Sequence, residues 1–126
     1  EGYHVLCPDI FWRIEPGIDI TDQSQAEWDR AFELFNAFDV DKGVEDLKAT
    51  LAHLRTMDGC SGKAGSVGYC LGGKLAYLMA TRSDADCNVS YYGDHAFARQ
   101  GGAHYDAAAA KTANARTTDF FKTHLG

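Results

Sequence analysis

The stretch SVGYCLGGKLAY constrains the fold of this chain more than any other part of its sequence. Residues 63–69 end in a short apolar run that predicts a buried strand, and residues 71–81 have apolar side chains at the spacing of a helix. Cys70 falls on the turn between these two elements. Ligand and catalytic groups gather at the carboxyl ends of strands in open α/β sheets. The stretch therefore predicts a strand, a sharp turn and a helix, with Cys70 as a candidate nucleophile.

Predicted strands and helices alternate along most of the 126 residues, which indicates a single α/β domain with a mostly parallel sheet. The predicted strands span residues 3–7, 63–69 and 88–93, and the predicted helices span residues 25–38, 42–57, 71–81 and 105–124. The first of these helices is predicted from apolar positions that recur at helical spacing, namely Trp28, Ala31, Phe32, Leu34, Phe35 and Phe38.

The composition limits the kinds of partner that the protein is expected to have. Its net charge of −6 argues against nucleic acid or an anionic membrane as partner, since both require basic patches. No apolar run approaches the ~20 residues of a membrane-spanning helix, and no basic-then-apolar leader opens the chain. We therefore expect neither nucleic acid nor a membrane as a partner.

The cysteines and glycines give no sign of a metal or a cofactor. The four cysteines include no CxxC pair, which favours free thiols in a reducing cytoplasm over disulfides. No group of histidine, cysteine and carboxylate residues has the spacing of a metal site. The stretch GYCLGG also lacks the G-x-G-x-x-G and G-K-[ST] arrangements of dinucleotide and phosphate loops. We expect neither a metal nor a cofactor.

The glycines around Cys70 match the pattern glycine–any–nucleophile–any–glycine, with cysteine where serine is commoner. Gly68 and Gly72 are expected to remove side-chain collisions at a strained turn, and Gly73 to let the helix pack closely. The backbone N–H of Leu71 then points to where an oxyanion forms, and the helix N-terminus favours the thiolate. The alternative is a buried structural cysteine in a glycine-rich turn, because short motifs recur by chance.

His95 and Arg99 follow the last predicted strand, near the sheet edge that carries Cys70. This position makes His95 a candidate general base, although a single histidine is more often a surface or core residue. The guanidinium of Arg99 has the geometry to bind a substrate carboxylate through two parallel hydrogen bonds. The alternative for Arg99 is a solvated loop cation, which its spacing alone favours.

Several stretches in the same order resemble the dienelactone hydrolase (carboxymethylenebutenolidase) family, which has the α/β-hydrolase fold. These stretches are EGYHVLCPDIFWRIEPG, FNAFDVDKGVEDLKATLAHLR, GYCLGGKLAY, HAFAR and YDAAAAKTANARTTDFF. The resemblance implies a hydrolase of carboxylic esters or lactones that opens the ring of dienelactone through a Cys-Asp-His triad. It also implies that Cys70 is the nucleophile, His95 its general base and Arg99 a residue that holds the substrate carboxylate.

The resemblance further implies that the chain is truncated at its front and missing an internal piece. The family has a strand before the counterpart of Glu1, placed in the sheet between the counterparts of residues 3–7 and 63–69. Between Gly93 and Asp94 it has several tens of further residues, which include two strands and the triad aspartate. Asp94 is a poor substitute for that aspartate, because adjacent side chains on an extended segment point apart. We expect an incomplete α/β-hydrolase-like domain with open sheet edges.

Three functions are open at this point. The first is a hydrolase with Cys70 as its nucleophile, and the second is a non-catalytic remnant that lacks the triad aspartate. The third, a thiol redox or binding module, is weaker because Cys70 has no resolving cysteine within two residues.

The family's second carboxylate-binding arginine has no clear match near Trp28, although Arg30 is close by.

Overall fold

The computed structural model describes residues 2–91 and 107–125. In these residues helices and strands alternate from the second predicted strand onward, which confirms the predicted α/β class. The elements are α1 (Gln25–Ala37), α2 (Val40–Arg55), β1 (Gly65–Tyr69), α3 (Leu71–Arg82), β2 (Cys87–Tyr91) and α4 (Ala107–Leu125). No helix in the described residues is both long and apolar enough to cross a membrane.

Helices α1 and α2 begin where side chains satisfy free N–H groups of the first turn. Ser24 is the N-cap of α1, and its Oγ accepts a hydrogen bond of 3.3 Å from the Glu27 N–H. The Glu27 carboxylate accepts in return from Ser24 Oγ and from the N–H and hydroxyl of Thr21. These bonds, led by the Thr21 N–H, lower the pKa of Glu27 to about 2. Asp39 caps α2 through the Lys42 N–H, so this helix begins two residues before its predicted start.

Strands β1 and β2 form a parallel pair in which Gly65 lies opposite Cys87 and Tyr69 lies opposite Tyr91. Helix α3 connects the two strands and packs against both, as a crossover between parallel strands must. Helix α4 packs against β2. The carboxyl ends of both strands therefore lie at one edge of the sheet, as the sequence predicted.

The hydrophobic core lies between α2, α3 and the beginning of β1. Its side chains are between 1% and 6% exposed, and they are Val44, Leu51, Ala64, Leu75 and Met79. A cluster of charges lies at the end of α2: the Arg55 guanidinium contacts the carboxylates of Asp84 and Asp86 at 2.7 and 3.0 Å. The Asp86 carboxylate also accepts from the Ala64 N–H at 2.8 Å, so α2 is tied to the starts of both strands.

The predicted first strand is not formed. Residues 3–7 have no strand structure and are mostly exposed, with Val5 79% and Tyr3 39% accessible. A strand exists only when its backbone N–H and C=O groups pair with a neighbour, and β1 pairs with β2 alone in the described part of the chain. The apolar pattern of residues 3–7 therefore finds no partner here.

The apolar stripe predicted on α1 is only partly buried. Leu34 is 1% exposed, whereas the large rings of Trp28, Phe32 and Phe35 are 43%, 58% and 50% exposed. Periodicity predicted the helix and its apolar face correctly. It did not predict how much of that face is covered, because coverage depends on which elements pack against α1.

Leu34 and its neighbour Phe35 provide a matched pair for stability. We expect Leu34→Ala to lower the free energy of unfolding by about 2–5 kcal/mol, because it leaves a cavity in close-packed surroundings. Phe35→Ala removes a half-exposed ring, and we expect a loss of at most about 1 kcal/mol. Urea unfolding followed by circular dichroism measures both values. Equal losses for the two variants would contradict the packing of α1 described above.

Candidate active site

Cys70 has a backbone conformation that side chains rarely adopt. Its φ is +54° and its ψ is −119°, and it is the only residue other than glycine with a positive φ in residues 2–91 and 107–125. It stands directly between β1 and α3, and it is exposed. A strained non-glycine residue on a sharp strand-to-helix turn is the geometry of a nucleophile elbow. The alternative of a buried structural cysteine does not match this exposure.

Two of the three nearby glycines have the predicted role. A Cβ on Gly68 would lie 2.0 Å from the carbonyl oxygen of Gly72, and a Cβ on Gly73 would lie 2.5 Å from the carbonyl oxygen of Tyr91. Neither position admits a side chain, which confirms the collision expected at Gly68 and the close helix packing expected at Gly73. The expected role of Gly72 is wrong, because a Cβ there would meet nothing within 4 Å. Gly72 contributes to this turn through its backbone, because its carbonyl oxygen lies where a side chain on Gly68 would be.

The thiol of Cys70 takes no part in capping α3. Cys70 is the N-cap residue, but its side chain makes no cap hydrogen bond, while its carbonyl accepts from the Lys74 N–H at 3.1 Å. Leu71 is the first helical residue, and the N–H at that position has no acceptor within its own helix. A reacting carbonyl bound next to Cys70 would therefore meet a helix N-terminus, whose first N–H groups have no acceptor within the helix itself.

Strand β2 supports the elbow through contacts that the sequence did not indicate. The Ser90 hydroxyl donates to the Gly73 carbonyl at 2.8 Å, which fastens the start of α3 to β2. The rings of Tyr69 and Tyr91 stack with centroids 4.4 Å apart and an angle of 15° between their planes. Burial raises the pKa of Tyr69, and the neighbouring Tyr91 adds to this. The only signal in the sequence was a tyrosine near the end of each predicted strand, which becomes informative once the register is known.

The other thiols lie away from Cys70 or are less accessible. Cys87 is 5% exposed, and burial, followed by the nearby charge of Asp86, raises the pKa of its thiol. It pairs with Gly65, five residues before Cys70, which corresponds to roughly 16 Å along a strand. A disulfide needs Cα atoms within about 7 Å, so these two cysteines cannot pair in this fold. Cys60 is half-buried and Cys7 is exposed.

His95 and Arg99 lie outside the described residues, as does Asp94, so the roles predicted for the first two stay predictions. Arg30, the nearest candidate for a second carboxylate-binding arginine, is engaged in ion pairs. Its guanidinium contacts Glu33 at 2.7 Å and also contacts Glu15. These ion pairs engage the guanidinium with a carboxylate of α1 and with a carboxylate of the loop before it.

The family model for the dienelactone hydrolase family matches residues 1–94, which is most of the chain. The chain belongs to the dienelactone hydrolase family. The resemblance of its motifs to this hydrolase family is thereby confirmed. The parallel pair β1–β2 with its flanking helices is an incomplete form of the α/β-hydrolase-like fold.

Named relatives agree with this membership. A protein of Azospirillum brasilense that is provisionally named a carboxymethylenebutenolidase is 36% identical over an alignment of 185 residues. The alignment includes all of this chain and 78% of that protein. Carboxymethylenebutenolidase 1 of Cupriavidus pinatubonensis is 41% identical over 92 residues, with 73% of this chain covered. The carboxymethylenebutenolidase of Pseudomonas putida is 42% identical over 93 residues, with 74% of this chain covered.

The alignments differ in how much of each relative they include. The match covers 39% of the Cupriavidus protein and 39% of the Pseudomonas putida protein. The alignment with the Azospirillum protein spans 185 positions, which is 59 more than the 126 residues of this chain. The family match itself stops at residue 94.

Proposed function

We propose that this chain provides the nucleophile of a hydrolase that acts on carboxylic esters or lactones, with Cys70 as the attacking residue. The backbone of Cys70 is the observation that carries the proposal. A positive φ at an exposed cysteine is costly, and it persists here because Gly68 and Gly73 allow close backbone contacts that a side chain would prevent. Membership in a hydrolase family and the names of the relatives support the same reaction class.

In the proposed reaction His95 takes the proton of the Cys70 thiol and becomes an imidazolium. The thiolate attacks the carbonyl carbon of the substrate and a C–S bond forms. The carbonyl oxygen becomes an oxyanion, which the Leu71 N–H stabilises. Collapse of this intermediate breaks the C–O bond, and the leaving oxygen takes a proton from the His95 imidazolium. His95 then removes a proton from water, which attacks the thioester and releases the acid and the thiolate. For a lactone, the leaving oxygen stays attached to the product.

The proposal assigns substrate recognition to Arg99, on the resemblance that its motif HAFAR carries. A guanidinium binds a carboxylate through two parallel hydrogen bonds, which suits a lactone that bears a carboxylate. A neutral ester offers no such group. Arg99 is therefore expected to select carboxylate-bearing substrates.

Arg99→Lys tests both the activity and this selection. We expect the variant to lose about tenfold or more in kcat/KM for a lactone that carries a carboxylate, because lysine lacks the bidentate fork. Its hydrolysis of a neutral aryl acetate should scarcely change. Steady-state kinetics on the two substrates measures both effects. Equal losses would assign Arg99 a structural role, and no hydrolysis by the unmodified protein would contradict the proposed function.

A non-catalytic remnant is the second candidate, and one observation favours it. The family match stops at residue 94, and the shared span with the Azospirillum protein is 59 residues longer than this chain. We propose that the extra residues belong between Gly93 and Asp94, where the resemblance places the triad aspartate. In a Cys-Asp-His triad the aspartate orients the histidine, and the resemblance supplies no other residue for that role. The coding sequence across this junction distinguishes the two candidates.

A further inference from the structure

The first turn of α3 packs on the ends of both strands mainly through backbone atoms. A Cβ on Gly68 would lie 2.0 Å from the Gly72 carbonyl oxygen, and a Cβ on Gly73 would lie 2.5 Å from the Tyr91 carbonyl oxygen. One side chain of β2 joins these contacts, because the Ser90 hydroxyl donates to the Gly73 carbonyl oxygen at 2.8 Å. Ser90 is therefore a side chain of β2 that can adjust how this turn is placed.

The register of the parallel pair directs the Ser90 side chain toward α3. Ser90 lies opposite Gly68, and the contact of Gly68 with Gly72 shows that this face of the sheet carries α3. Side chains two residues apart on a strand share a face. Ser66 and Asn88 therefore lie on the same face, where the Ser66 hydroxyl donates to Asn88 Oδ1 at 2.6 Å.

Two hydrogen bonds connect the Ser90 hydroxyl to the peptide group that contains the candidate oxyanion donor. The Gly73 carbonyl, which accepts from Ser90, belongs to the same planar peptide group as the Lys74 N–H. The Lys74 N–H donates to the Cys70 carbonyl oxygen at 3.1 Å. The Cys70 carbonyl in turn shares a planar peptide group with the Leu71 N–H. The hydroxyl and the Leu71 N–H are thus linked through two peptide groups.

This chain of hydrogen bonds acts on the Leu71 N–H in two ways. A peptide group is a rigid plane, so a hydrogen bond to its oxygen also restricts the direction of its N–H. Hydrogen bonds in series polarise one another, so the bond donated by Ser90 makes the next N–H groups along the chain stronger donors. Both effects matter most when the acceptor carries a full negative charge, as an oxyanion does.

We infer that Ser90 is a positioning residue for acyl transfer to Cys70, because its hydroxyl orients and polarises the Leu71 N–H through these two peptide groups. This inference rests on the proposed function, in which Cys70 attacks a carbonyl and the Leu71 N–H stabilises the oxyanion. Ser90 acts through the backbone and does not touch the substrate in this assignment.

The test compares two reactions of the same Cys70 thiolate. With an aryl acetate, the sulfur forms a C–S bond through a tetrahedral oxyanion, the C–O bond breaks and the aryl oxide leaves. With iodoacetamide, the sulfur displaces iodide from a saturated carbon, and no oxyanion forms. Mass spectrometry of the peptide that contains Cys70 measures both rates. The ratio of the acylation rate to the alkylation rate therefore reports how well the oxyanion is stabilised.

We expect Ser90→Ala to lower this ratio about two- to fivefold, the lower part of the range for one net hydrogen bond, because Ser90 is exposed although Gly73 is buried. The alkylation rate itself should stay the same. Ser90→Thr retains the hydroxyl and should retain the ratio.

Ser66→Ala is the matched control. It removes a hydroxyl from the same face of the sheet, but the bond lost is to Asn88 and not to α3. The ratio should stay at the value of the unmodified protein. If Ser90→Ala slows acylation and alkylation equally, if Ser66→Ala lowers the ratio as much, or if Ser90→Thr fails to retain it, Ser90 has a merely structural role and the inference is overturned.

The remaining outcomes distinguish this inference from the function on which it rests. If the unmodified protein is acylated at Cys70 and Ser90→Ala leaves the ratio unchanged, the inference fails and the proposed function stands. If the aryl acetate does not acylate Cys70 of the unmodified protein, the proposed function is contradicted and the inference fails with it.

Discussion

Replacing Cys70 by alanine is expected to abolish the hydrolysis of esters and lactones, with a fall in kcat of at least about a thousandfold. Alanine removes the sulfur that forms the covalent intermediate. Cys70→Ser should leave little activity, because a hydroxyl is poorly activated in a site that suits a thiolate. Initial rates with an aryl acetate measure both variants. Cys7→Ala is the matched control, since Cys7 is also exposed but lies far from the elbow in sequence.

Chemical labelling gives a second readout of the same prediction that needs no turnover. Cys70 is expected to react with iodoacetamide faster than Cys7, although both are exposed, because Cys70 stands at a helix N-terminus. Cys60 is half-buried, and Cys87 is buried with a raised pKa, so both should react more slowly. If mass-spectrometric mapping finds that Cys70 is alkylated more slowly than the other three cysteines, its assignment as nucleophile is contradicted.

Gly68→Ala and Gly72→Ala are expected to change stability in opposite directions. The methyl group of Gly68→Ala would lie 2.0 Å from the Gly72 carbonyl oxygen and 2.2 Å from its carbonyl carbon. Backbone atoms cannot rotate away as a side chain can, so we expect a loss of at least about 1–3 kcal/mol in the free energy of unfolding. Gly72 lies in α3 with open space around it, and alanine there should stabilise the helix by up to about 1 kcal/mol.

Urea unfolding of the two glycine variants measures this difference, and Cys70 alkylation reports the local effect. Gly68→Ala should also slow the alkylation of Cys70, because the turn must shift to admit the methyl group. Gly72→Ala should leave that rate unchanged. A Gly68→Ala protein as stable as the unmodified one would contradict the close contact between the strand end and the start of α3.

Much of the local structure followed from the sequence alone. Helices α1, α2 and α3 were predicted from apolar residues at a period of three to four, a signal that lies within each segment. Helix α4 was predicted from its alanine-rich start. The strand–turn–helix around Cys70 was predicted from an apolar run that ends in glycines, and Cys70 has the backbone expected there. The start of α2 was placed two residues late, because Asp39 and Asp41 are both of a residue type that caps helices and only the structure shows Asp39 accepting from the Lys42 N–H.

The residues of the candidate site also differ in whether the sequence alone could place them together. Cys70 and the N–H of Leu71 belong to one continuous stretch, so the sequence alone could place them together. Tyr91 is 21 residues after Cys70, and its contact with the elbow depends on the register of the parallel pair. His95 and Arg99 lie outside the described residues, and their roles still rest on the motifs around them.

The sequence by itself determined which segments are helical, the order of strands and helices from residue 25 onward, and the residue at the strained turn. These properties depend on neighbours a few positions apart, whose propensities and periodicity are local. Only the tertiary structure decided that residues 3–7 form no strand, that Leu34 alone of the α1 stripe is fully buried, and that Gly68 rather than Gly72 excludes a side chain. Each of those outcomes depends on which distant backbone or side chain comes to lie opposite, and no local pattern contains that information.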